Sequence, residues 1–220
     1  MIKIENVEVY GWEAAIRGMR NPMNSWDKSD SGIKPVRKPP CNDIKLEYTV
    51  GENDLALMRK LAAAGSDHRK FMRMITVTLD ITAPMFWWSE FDTYKVSTVR
   101  NSCSKMHTIH IKPFEYDDFS HEGCDMVAWA AEAMRDVIKV CEKLRQEFNA
   151  TQNKKYWRAL IELLPESYNM RATVQLNYEV LRNMYGGRHT HKLFEWSAEH
   201  SFCRWIESLP YSELITGKER

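Results

Sequence analysis

Apolar positions recur along this chain at two spacings, and those spacings predict its elements. Ile2–Tyr10 alternates through Ile4, Val7 and Val9 and reads as a strand. Phe71–Thr82 alternates through Met74, Val77, Leu79 and Ile81 and is the clearest strand. Helical spacing covers Glu13–Met19, which Asn21-Pro22 stops. It also covers Asn53–Ala64, with Asn53 or Asp54 as cap and Gly65 as closure. An aromatic helix opens at Ala83-Pro84, with proline in its first turn. Cys124–Phe148 is the strongest helix, followed by Asn153–Leu164, which ends at Pro165. Lys192–Leu209 is a further amphipathic helix with Trp196, Phe202, Trp205 and Ile206 on its apolar side.

The stretch from Leu163 to Arg188 draws attention next. Val174, Leu176, Val180, Leu181 and Met184 recur at roughly helical spacing and should face a core. They predict a helical segment that carries Arg171, Asn177 and Asn183 and ends at Gly186-Gly187-Arg188. The simplest account of Gly-Gly there is a glycine stop. The same glycines also let a ligand approach the backbone beside Arg188 closely.

Between these elements lie polar connections. Arg20–Asp43 is rich in Pro, Ser, Asp and Lys and reads as a long irregular segment, in which Met23 and Trp26 argue for some packing. It is either a lid, reaching a ligand through Arg20, Asn21 and Trp26, or a packing arm. Ser97–His110 reads as loop leading into a strand, and Lys112–Glu122 as acidic loop. A few strands among longer helices make an α+β or α/β protein.

The totals narrow the function class. A chain of 220 residues is one large domain or two small ones, and 44% hydrophobic with 28% charged residues suits a soluble globular protein. A net charge of +1 gives no reason to expect nucleic-acid or membrane binding, so an anionic ligand must meet local Lys and Arg. Five scattered cysteines with no Cys-x-x-Cys pair point to a reducing cytoplasm rather than a disulfide framework. The opening MIKIENVEVYGWE is neither a signal peptide nor an anchor.

Common catalytic signatures are missing. There is no Gly-x-Gly-x-x-Gly, P-loop or His-Glu-x-x-His. His107-x-x-His110 and His189-x-His191 lack a third ligand at a telling spacing, so no metal is expected. Cys103, in NSCSK, is a packed side chain or a nucleophile without an identifiable base.

Three segments together resemble the flavin-dependent thymidylate synthases, the ThyX family. One is Leu164-Pro165, Arg171, Asn177, Asn183 and Arg188; a second is Ala83-Pro84-Met85-Phe86; the third is His68, at the family's distance before that helix. They span roughly residues 65 to 196. The family signature Arg-His-Arg-x-x-Ser-x-Asn-x-x-Ser-x-Arg falls, counted without gaps, on Thr93-Tyr94-Lys95, Thr98, Arg100, Cys103 and Lys105. A shift of one residue recovers Asn101 and Ser104 instead and loses the Lys matches. In either register the Arg-His-Arg is absent.

The resemblance implies a single domain over residues 1–220, with a central mixed or antiparallel sheet flanked by long helices. It implies reductive methylation of dUMP to dTMP, with FAD as cofactor and NADPH and methylenetetrahydrofolate as co-substrates. Arg188 is then the catalytic residue and also binds substrate, with Glu90, Asn101, Ser102, Cys103, Ser104 and Lys105 as further substrate contacts. His68, Tyr94, Lys95, Asn177 and Asn183 would contact the flavin. Glu90 stands where the family has a Gln, and as an anion it would repel phosphate. The family is a homotetramer whose sites combine residues from several subunits. The departures leave two other readings open: a flavin enzyme making another C5 product, and a nucleotide-binding relative without catalysis.

Overall fold

The structure is a computed structural model that describes residues 2–38 and 43–218. Its elements run β1 (Lys3–Tyr10), α1 (Trp12–Arg20), β2 (Gly32–Lys38), β3 (Asp43–Thr49), α2 (Glu52–Ala63), β4 (Thr76–Pro84), α3 (Met85–Phe91) and β5 (Val99–Ser102). They continue with α4 (Lys105–Thr108), α5 (Glu122–Asp125), α6 (Ala128–Thr151), α7 (Lys154–Leu163), β6 (Asn169–Asn177), α8 (Tyr178–Arg188), α9 (Phe194–Ser197), α10 (Phe202–Ser208) and α11 (Glu213–Thr216). No helix among the described residues is long and apolar enough to cross a membrane.

Four strands form one antiparallel sheet in the order β1-β4-β6-β5. Strict alternation builds it. In β4, Val77, Leu79, Ile81 and Ala83 are fully buried while Thr76, Thr78, Asp80 and Thr82 take the other face. In β6, Ala172, Val174 and Leu176 are buried while Arg171, Thr173 and Gln175 are exposed. The register sets Leu79 beside Val174 on the core face and Asp80 beside Thr173 on the polar face. The helical reading of this stretch is therefore corrected: its first half is a strand. Val174 and Leu176 are two apart and fit a strand; Val180, Leu181 and Met184 fit the helix that follows.

Helices α1, α2, α3, α8, α10 and α11 contribute to the core cluster that includes the apolar face of the sheet. Trp87 lies 5.0 Å from Phe91 and 4.8 Å from Trp196 between ring centroids, so α3 and α9 meet through aromatic rings. Each such fully buried large side chain contributes about 1.5–3 kcal/mol. A second, separate cluster joins α6 and α7 to Ile109 and Phe119 through Met134, Ile138, Cys141, Leu160 and Leu164. Asn153 caps α7, its side chain accepting from the Lys155 N–H at 3.1 Å.

The segment after α1 departs from the irregular expectation. Gly32–Lys38 and Asp43–Thr49 pair as an antiparallel hairpin, with Ile33 opposite Tyr48. Residues 39–42, Cys41 among them, lie outside the described residues. Met23 is exposed and Trp26 half-exposed, contrary to the packing expected of them. What anchors this stretch is Arg20, which is buried and donates to Asp54 Oδ1 at 2.6 Å. Asp54 Oδ2 accepts from the Ser29 and Ser31 hydroxyls at 2.7 and 2.6 Å. Asp54 is thus a tie rather than a helix cap. The cap of α2 comes from Asp30, whose carboxylate accepts from the Asn53 and Asp54 N–H groups.

Smaller boundaries also shift. Residues 69–74 form a 3-10 turn before β4, and Pro84 both ends the strand and caps the start of α3, one position before its first turn. Within 97–110 the strand comes first and a short helix follows. The long helix starts at Ala128, after the separate turn α5. Residues 192–209 hold two short helices in place of one.

Candidate active site

Three of the expected site residues meet in one hydrogen-bonded cluster. Helix α8 does not stop at Gly186-Gly187; it continues through Arg188 and is capped at His189. This directs the Arg188 side chain at α3 and the turn after it. Its Nη1 donates to Glu90 Oε2 at 2.5 Å, and its Nε donates to the Tyr94 hydroxyl at 3.0 Å. The guanidinium also lies 5.1 Å from the Trp196 ring centroid and 5.6 Å from that of Tyr94.

Two residues absent from the sequence-derived set complete the cluster. Trp196 Nε1 donates to Glu90 Oε2 at 3.1 Å, and His191 Nε2 lies 3.4 Å from the same oxygen. His191 Nδ1 accepts from the Leu193 N–H at 3.2 Å, which leaves the ring proton of a neutral imidazole on Nε2, facing Glu90. The Ser197 hydroxyl donates to the His191 carbonyl at 2.6 Å and fixes this turn. His191 had drawn notice only as one of a histidine pair, and Trp196 only as apolar surface of a helix. Glu90, expected as a free anion, is instead neutralised by Arg188.

The other residues are dispersed. Cys103 and Lys105 line a cleft of about 460 Å³ with Lys112, Asp118, Tyr168 and Arg171. Lys105 Nζ sits 3.2 Å from Met85 Sδ, at the start of α3. Lys112 is held by Asp118 at 2.5 Å. Arg171 donates to Asp80 Oδ2 at 2.8 Å, while the Thr173 hydroxyl donates to Asp80 Oδ1 at 2.6 Å. The Thr173 bond first, then those from Arg171 and Asn6, hold the Asp80 carboxyl far below the usual carboxylate range.

Asn101 and Ser102 belong to edge strand β5 rather than to a loop, paired with Thr173 and Ala172. The Cys103 N–H donates to the Arg171 carbonyl at 2.9 Å. The backbone N–H groups from 101 to 104 are therefore only in part free to meet a ligand, since alternate ones serve the sheet. Ser104 is exposed, and its carbonyl accepts from His107 and Thr108. Arg100, at a signature position, lies over Trp88 at 4.1 Å and pairs with Asp92.

His68 and Asn183 are both exposed. His68 precedes Arg69, which donates to both oxygens of buried Glu179 at 3.0 and 2.8 Å. Glu179 lies one helical turn from Asn183. Lys95 is also exposed. Asn177 is buried and caps α8, its Oδ1 accepting from the Val180 N–H at 3.0 Å. Its side-chain oxygen is committed to the helix, which leaves the amide nitrogen as the group a flavin contact would use.

Two crystal structures of thymidylate synthase X (ThyX) from Helicobacter pylori, both with FAD and dUMP, share this architecture. Each superposes with a TM-score of 0.66, at 13% and 14% identity. The first match covers 98% of this chain and 97% of that one; the second covers 97% of each. The chain has a ThyX-like fold. A UMP/dUMP methylase, PolB from Streptomyces cacaoi, bound with 5-Br dUMP, shares it at a TM-score of 0.64 and 15% identity, covering 99% of this chain and 95% of that one. No protein-family model and no curated protein sequence matches the chain. Within the ThyX-like fold, the cluster at Arg188 and the cleft at Lys105 occupy opposite ends of α3.

Proposed function

We propose that this chain is a flavin-dependent enzyme acting at C5 of a deoxyuridine nucleotide, with dTMP as its product from dUMP. Methylenetetrahydrofolate is the carbon donor, FAD the cofactor and NADPH the reductant. The observation that carries the reading is Arg188. It is a half-buried guanidinium oriented by two fixed partners, on a fold whose solved examples hold dUMP or its 5-bromo analogue.

The chemistry asks for such a group. C5 of uracil becomes nucleophilic as negative charge builds along N1–C2=O2, and a positioned guanidinium stabilises that charge as it develops. Lys105 takes the nucleotide phosphate as a point charge, without the fork of an arginine. Five helical steps lead from Met85, beside Lys105, to Glu90. The two patches are thus ~7.5 Å apart along α3 and ~140° apart around it. One chain does not join them, and a homotetramer whose sites combine subunits would.

The flavin fit rests on exposed polar groups. His68, Asn183 and Lys95 offer donors at the surface, and the half-buried Tyr94 ring offers a flat wall. Asn177 supports them by capping α8. When bound, the flavin supplies the hydride. The unpaired Cys103, Cys124, Cys141 and Cys203 suit a reducing cytoplasm.

A second reading, another C5 product, is favoured by one observation: Thr93-Tyr94-Lys95 replaces Arg-His-Arg, and Tyr94 is bonded to Arg188. The test is the visible spectrum of the purified protein with FAD and then dUMP. A flavin band that shifts on adding dUMP supports a joint site, and mass spectrometry of the product separates dTMP from an alternative. A protein that takes up no flavin is instead a nucleotide-binding relative without this chemistry.

A further inference from the structure

The Glu90–Arg188 pair is only half used. All three contacts to the Glu90 carboxylate converge on Oε2, from Arg188, Trp196 and His191. Among the described residues Oε1 receives no donor. Likewise, Arg188 uses Nη1 for Glu90 and Nε for Tyr94, and Nη2 has no acceptor among the described residues. Both side chains keep partial exposure, 32% for Glu90 and 17% for Arg188. The cluster therefore presents one carboxylate acceptor beside one guanidinium donor, against the Tyr94 and Trp196 rings.

We propose that Glu90 Oε1 and Arg188 Nη2 together read the imide edge of a pyrimidinedione ring, with Glu90 accepting the ring N3–H and Arg188 donating to the adjacent carbonyl. A carboxylate only accepts, so it demands a ring N–H. Uracil supplies one. Cytosine presents a lone pair at N3 and meets the Glu90 charge with another acceptor. The family's Gln accepts or donates and imposes no such demand, so Glu90 makes this site the more selective. The proposal rests on the function proposed above and adds a specificity residue to it. Uracil and the flavin pyrimidine ring share this edge, so the chemistry has two possible sources.

The test compares wild-type protein with Glu90→Gln by calorimetry, using dUMP, N3-methyl-dUMP, dCMP, FAD and N3-methyl-FAD. If uracil is read, N3 methylation weakens dUMP about tenfold or more in the wild type. Glu90→Gln then narrows the preference for dUMP over dCMP by a similar factor, mainly by improving dCMP, because the amide N–H can donate to cytosine N3. If the flavin ring is read, the methylation penalty falls on FAD instead, and dUMP is indifferent to both changes. A residue that merely restrains Arg188 would move dUMP and dCMP together and ignore N3 methylation, and that result overturns the proposal. Free uracil, 3-methyluracil and cytosine, followed by saturation-transfer NMR, read the same edge without phosphate or flavin. A protein that takes up neither FAD nor dUMP overturns the proposed activity, while equal signals from the three free bases overturn the edge reading.

Discussion

Arg188 Nε donates to the hydroxyl of Tyr94, 94 positions earlier in the chain, at 3.0 Å. That bond and the ion pair to Glu90 fix two of the three guanidinium nitrogens. Tyr94→Phe removes the first while keeping the ring. A hydrogen bond to a charged group contributes about 1.5–3 kcal/mol, so kcat is expected to fall by about tenfold or more with little change in flavin affinity. Arg188→Ala is expected to abolish turnover with the thermal midpoint nearly unchanged. Steady-state kinetics and a melting curve on each variant check both, and an active Arg188→Ala protein would end the catalytic assignment.

Arg20 and Asp54 form a fully buried pair, with side chains 5% and 0% exposed. Burial raises the Asp54 pKa, but bonds from Ser31, Ser29 and Arg20 outweigh it and hold the carboxyl below its usual range. Asp54→Asn leaves the Arg20 charge buried without its counter-ion and is expected to cost about 3–5 kcal/mol in a denaturant titration. Replacing both by apolar residues of similar volume should cost less. This pair also disposes of the lid idea for Arg20, whose other nitrogens bind the Ser25 and Lys28 carbonyls.

Gly186 sits inside α8, and a Cβ added there would meet nothing within 4 Å. Glycine within a helix costs about 0.5–1 kcal/mol relative to alanine. Gly186→Ala is therefore expected to raise stability by that amount. If a ligand lies against the backbone at this point, turnover drops in the same variant. Paired melting and activity measurements separate an ornamental glycine from one kept for access.

Acid should weaken the protein through its paired carboxylates, Glu142 and Glu207 among them. Hydrogen bonds from Arg145 hold Glu142 down to about 2, and the Tyr185 hydroxyl first, then Arg204, hold Glu207 down to about 2. Both lie below the ordinary glutamate value of 4.5. Their stabilisation is full above pH 4.5 and is lost as pH falls toward 2, because the unfolded chain takes up protons first. Glu142→Gln should flatten part of that slope, read as denaturant midpoint against pH.

How much of this was legible in the sequence depended on how local the signal was. Helix α7 was readable because its apolar stripe and the proline that stops it lie within a few residues. The strand β6 was not. Val174 and Leu176, followed by Val180, Leu181 and Met184, satisfy a helical template as well as a strand and a helix joined at Asn177. Only pairing with β4, some ninety positions away, makes the choice. The hairpin of β2 and β3 was hidden by its charged and prolyl composition, since its strands bury little. At the site, resemblance singled out Glu90, Tyr94 and Arg188, and they do meet. Trp196 and His191 were missed because their contacts to Glu90 span about a hundred residues and follow no spacing rule. The cap at Asn177 was not read, because a helix cap and a ligand contact ask for the same side chain.

The α6–α7 pair has its own apolar cluster, apart from the one that includes the apolar face of the sheet. A unit that closes over its own small interior can open without dissolving the larger one. Amide exchange should therefore release α6 and α7 at a lower opening free energy than β4 and β6. Isotope uptake followed by mass spectrometry would then resolve two kinetic populations from a single chain, with β4 and β6, the strands that lead into α3 and α8, in the slower one.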